Sequence, residues 1–105
     1  MNEAEQILLS AEQQKRDVLA IQCLWTGILP LPLPQDSQVA LWLDLYKFGT
    51  VAYAVRETAK KCHALASQRT PMTLEHAVRF LSRVASNADA RDKSKKGSIR
   101  NETTL

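Results

Sequence analysis

Only three glycines and four prolines occur in 105 residues, too little turn chemistry for a β-sandwich or barrel, whose strands need a turn roughly every 8–12 residues. Cysteine is equally sparse. Cys23 and Cys62 lack CxxC spacing and cannot build a disulfide framework, which points to a reducing, cytoplasmic setting, with a single Cys23–Cys62 bridge as the lesser alternative. No apolar run approaches the roughly 18 residues a membrane-spanning helix needs, and the stretch from Ile28 to Leu33 is interrupted by Pro30 and Pro32. A Gly-rich phosphate loop, a GxSxG elbow and an HExxH pair are all missing. Cys62 and His63 are adjacent, so on a helix their side chains diverge by about 100° and cannot act as nucleophile and base on one another. His76 has Glu75 beside it but no second ligand at metal-binding spacing. The expected protein is therefore not an enzyme and carries neither cofactor nor metal.

What is present is helical. Hydrophobic residues make up 45% of the chain, and their spacing follows helix turns rather than strand alternation. Ile7, Ala11, Val18, Ile21, Trp25 and Ile28 trace one stripe along a first helix. Asn2 is placed to cap it, and Glu3 and Glu5 suit the positive end of its dipole. Pro30 ends that helix near residue 28 and opens Pro30-Leu31-Pro32-Leu33-Pro34, an extended strap whose leucines are expected to pack onto the domain. Its other use, as a proline-rich ligand for a groove-bearing partner, is the less economical one.

Asp36 or Ser37 is expected to cap a second helix carrying Val39, Ala40, Trp42, Leu43, Leu45 and Tyr46, with Gly49 as its left-handed terminator. Thr50 would then start a third helix with Val51, Val55, Thr58, Ala59, Cys62 and Leu65 on its inner side, running to about Ser67. Thr70 or Thr73 caps a fourth, whose stripe is Leu74, Ala77, Val78, Leu81, Val84, Ala85 and Ala88. After Ala90 the apolar period is lost. The fold class is accordingly all-α: a small four-helix domain over residues 1–89 with a long N-terminal helix, the third and fourth helices antiparallel, and a disordered basic tail over 90–105.

Charge is sorted along this chain. Residues 1–46 hold six acids (Glu3, Glu5, Glu12, Asp17, Asp36, Asp44) against two bases (Lys15, Arg16), whereas the rest is basic and the net charge is +3. Arg56 with Lys60, and Arg79 with Arg83, each lie one helical turn apart and form basic ridges. Together with Lys61, Lys93, Lys95 and Lys96 they could hold phosphates by counterion release, so the first expectation is a non-enzymatic accessory protein that binds nucleic acid non-specifically. The plain competitor is a solvated helix surface, which is what basic residues usually cover. The aromatics Trp25, Trp42, Tyr46, Phe48, Tyr53 and Phe80 are better placed as core anchors than as base-stacking platforms. The alternative function rests on the first helix, about 40 Å long and longer than its partners can cover. Its stripe of Ile7, Ala11, Val18, Ile21 and Trp25 could join a second copy as a homo-oligomerisation or protein-interaction module, acid facing base across the contact.

Overall fold

The structure, a computed structural model, describes residues 2–103, with side chains through Ser94. Four helices follow one another: α1 (Glu3–Ile28), α2 (Asp36–Leu45), α3 (Phe48–Ser67) and α4 (Leu74–Thr103), and no strand occurs among the described residues. The all-α architecture with a long first helix is thus as the spacing of apolar residues predicts. Asn2 Oδ1 accepts a 2.9 Å hydrogen bond from the Glu5 amide, satisfying one of the free donors of the first turn. At the far end the Leu29 amide donates to Trp25 O before Pro30 turns the chain away.

The chain then folds back, and α2 runs antiparallel to α1. Gln22 Nε2 donates to Asp36 at the start of α2, and Gln14 Nε2 donates to Asp44 near its end. Along the strap between them Leu31 packs on the core, Pro34 is buried, and Leu33 points outward, so only one of the two leucines lies inward. The Trp25 indole N–H reaches the Leu31 carbonyl at 3.2 Å and holds the strap in place.

α3 and α4 form the most extensive helix pair, and α1 lies along α3. The core gathers Ile21, Trp25, Val39, Trp42, Val51, Val55, Leu81 and Ala85, all essentially inaccessible to water. Trp42 joins the two hairpins: its indole N–H donates to Ser82 Oγ at 2.9 Å, and that hydroxyl in turn donates to Val78 O. Burying the ring without these acceptors would leave a polar N–H unsatisfied. Thr58, the one buried polar residue among the described residues, donates to Ala54 O one turn earlier. Overall extents of 50 × 43 × 18 Å correspond to a slab two helices thick.

Three boundaries differ from those expected. Gln35, not Asp36 or Ser37, is the cap residue of α2, and Asp36 is already helical with its carboxylate turned to Gln22. Gly49 does not terminate α2. The break falls at Tyr46 and Lys47, both extended, and Gly49 lies in the first turn of α3, so Thr50 is inside that helix rather than its cap. Gly49 has no positive φ, and a Cβ at this position would meet nothing within 4 Å, so neither backbone nor space requires glycine there. Third, the helical backbone of α4 does not stop at Ala90 but continues through Thr103. Loss of an apolar stripe does not end a helix when no proline intervenes, and Asp89 supports Lys93 one turn on at 3.0 Å. Thr73 caps α4 as anticipated, accepting from the His76 amide at 3.1 Å. Both cysteines are free, Cys23 exposed and Cys62 buried.

The end of α3 carries a conformational cost. The Thr70 amide bonds to Leu65 O and the Arg69 amide to Ala66 O, the paired closure of a Schellman motif, and Arg69 occupies its left-handed position with φ 60°. Glycine adopts that geometry without a Cβ clash. Arg69→Gly is expected to raise unfolding free energy by up to about 1 kcal/mol, measured as a higher urea midpoint at unchanged slope.

Candidate interaction surfaces

Two surfaces stand out once the helices are placed. The first is the N-terminal half of α1. Because α2 is only 10 residues long, its pairing with α1 is used up between Gln22 and Gln14, and every described side chain from Asn2 to Arg16 is exposed. The stripe expected for oligomerisation is therefore divided. Ile21 and Trp25 are at 1% and 0% exposure inside this chain's own core and are unavailable to a second copy. Val18 is half-buried at the boundary, whereas Ala11 is exposed and Ile7 is 70% exposed. Ile7 lies 18 residues before Trp25, a whole number of helical turns, so the core-facing line simply continues past its cover.

Leu8, Leu9 and Leu19 are also open to solvent, as are Leu41 and Leu45 on α2. Three consecutive apolar residues, Ile7, Leu8 and Leu9, suggest burial on more than one side of α1, yet all three are exposed, and Leu8 and Leu19 lie off the α1 stripe. Their separation is the signal: 11 residues is close to three turns, which puts both on one flank of α1. Beside Leu19 the helices leave a groove of about 490 Å³, whose walls include Lys15, Val18 and Gln22 from α1 and Asp36, Ser37 and Ala40 from α2.

The second surface is basic. Arg56, Lys60 and Lys61 are exposed on α3, and Arg79, Arg83 and Lys93 on α4. Several already have acidic company: Lys60 pairs with Glu57 at 3.0 Å, Arg79 with Glu75, and Lys93 with Asp89. The Arg79–Glu75 pair is three-quarters exposed at both ends, so solvent screens it and it adds little stability. Arg83 sits over the Phe80 ring, 5.6 Å from its centroid. Among the described residues, Arg56, Lys61 and Arg83 have no carboxylate within ion-pair distance.

Arg79 borders a groove with Pro34, Gln35 and Gln38 on the flank of α4 that meets α2. Tyr53, Ala88 and Arg91 border another, on the flank that meets α3. The side chains of Lys95 and Lys96 lie outside the described residues.

For chemistry there is little to assemble. Cys62 is buried while its neighbour His63 is exposed, and His76 lies at the surface beside Glu75. No group of three His, Cys, Asp or Glu side chains converges on a metal-sized space among the described residues. No helix of the described residues is long and apolar enough to cross a membrane. No protein-family model matches the chain, and no curated protein or solved structure is similar to it at a significant level.

Proposed function

We propose that this chain is a non-enzymatic helical interaction module that self-associates through the uncovered N-terminal half of α1. The observation that carries this reading is the continuation of the α1 apolar stripe beyond α2, ending in Ile7 at 70% exposure beside Leu8 at 60% and Leu9 at 49%. Leucine and isoleucine so placed gain roughly 1.5–3 kcal/mol each when a partner buries them fully. A segment of about a dozen residues is also marginal as an isolated helix, so a partner helix would stabilise its fold as well as its contacts. Charge favours a second copy as that partner, because the uncovered segment carries both signs, Glu3, Glu5 and Glu12 with Lys15 and Arg16, and can therefore set acid against base on its own copy.

Light scattering tests this directly. The wild-type chain is expected to approach twice the chain mass as concentration rises, whereas Ile7→Ser combined with Leu8→Ser stays monomeric at the same concentration. The substitutions fall on exposed positions and should shift unfolding free energy of the monomer by only about 0.5 kcal/mol. A wild-type mass equal to one chain at every concentration would remove self-association from consideration.

The unpaired Arg56, Lys61 and Arg83 support a second reading, non-specific binding of nucleic acid by the basic faces of α3 and α4. Affinity for a short duplex would then fall steeply with rising salt, and Arg56→Glu with Arg83→Glu would abolish it. Binding by that double variant equal to wild type would dismiss the basic surface.

A further inference from the structure

We infer that α1 pairs antiparallel with α1 of a second copy about a two-fold axis between residues 13 and 14, placing Leu8 of each chain in the other's α1–α2 groove. This deepens the self-association proposed above and rests on it. The inference begins with one flank of α1. Counting at 100° per residue, Leu8, Glu12, Lys15 and Leu19 fall within a sector of about 60°, with Ala11 about 40° beyond its edge. All five are exposed, Leu8 and Leu19 each at 60%.

In a two-fold antiparallel contact, residue i of one helix meets residue j of the other with a constant sum i + j, and the same patch serves both chains. A sum of 27 sets Leu8 against Leu19 of the second copy and Glu12 against its Lys15, then repeats both contacts by symmetry. Apolar thus meets apolar and acid meets base in one register. Among the described residues neither Glu12 nor Lys15 has an ion-pair partner within its own chain, so both charges are available. Like charges do not oppose each other at these positions, whereas a parallel pairing would stack Glu12 on Glu12 and Lys15 on Lys15.

The groove supplies the volume. It lies where Lys15, Val18 and Leu19 of α1 face Ser37 and Ala40 of α2, and it is about 490 Å³. The small side chains of Ser37 and Ala40 leave α2 low on that side, and the antiparallel register delivers the first turns of the second copy's α1 along it. Each uncovered segment would thereby gain on its partner the two-helix seat that its own α2 is too short to provide. Recognition is of the helix-in-groove kind, with the apolar anchor at Leu8 and the charged pair fixing register.

Two experiments decide it, both on the full chain. In a Cys23→Ser background, Leu8→Cys with Leu19→Cys should give covalent dimer under mild oxidation. The two positions are about 16 Å apart along one helix, too far for an internal bridge. Glu12→Lys and Lys15→Glu should each weaken dimerisation about tenfold, because each sets like charges in contact, and the double variant should return to within about threefold of wild type. Dimer that forms by light scattering but neither cross-links at these positions nor responds to single charge reversal would overturn this register and leave self-association standing. A wild-type chain that never dimerises would overturn both.

Discussion

A helix of 10 residues cannot cover one of 26, and the outer features of this molecule follow from that mismatch. Pairing of α2 with α1 is fixed at one end by Gln22 and Asp36 and at the other by Gln14 and Asp44. Past Ser10 and Ala11, which still border a groove with Leu43 and Asp44, the apolar line persists to an exposed Ile7. The first turns are held instead by local means: the Asn2 cap, and the acids Glu3 and Glu5 near the positive end of the dipole. Such terms amount to tenths of a kcal/mol up to about 1 kcal/mol apiece, enough to bias the segment towards helix and not enough to make it rigid.

The remainder of the fold is tightly determined by two indole rings. Trp25 ties α1 to the strap through Leu31 O, and Trp42 ties α2 to α4 through Ser82 Oγ. Both rings are essentially fully buried and both N–H groups are satisfied, so a slab only two helices thick still has a continuous core. The same thinness leaves broad outer faces on α1 to α4. Basic side chains occupy those of α3 and α4, and unclaimed leucines those of α1 and α2.

Helix number, order and inner faces were legible in the sequence because apolar period and caps agree over Asn2–Ile28 and over Thr73–Ala88. Boundaries set by backbone geometry were not. Gly49 resembles a terminator by composition but lies in a helical first turn, and the residue that does take the left-handed conformation is Arg69, which no propensity argument selects. The continuation of α4 past Ala90 is not signalled in the sequence because no apolar stripe marks it. On the surface side, periodicity correctly grouped Ile7, Val18, Ile21 and Trp25 on one line but could not say where cover ends. Only the placement of α2 separates the buried Ile21 and Trp25 from the exposed Ile7, and only that placement shows the groove beside Leu19.

Hydrogen exchange of the amides of residues 6–13, followed as a function of protein concentration, tests the central claim that this half of α1 is completed by a second copy. These amides should exchange close to the unprotected rate at high dilution and become strongly protected as concentration rises, while those of Trp25 and Leu81 stay slow throughout. Protection of residues 6–13 that does not change with concentration would contradict it.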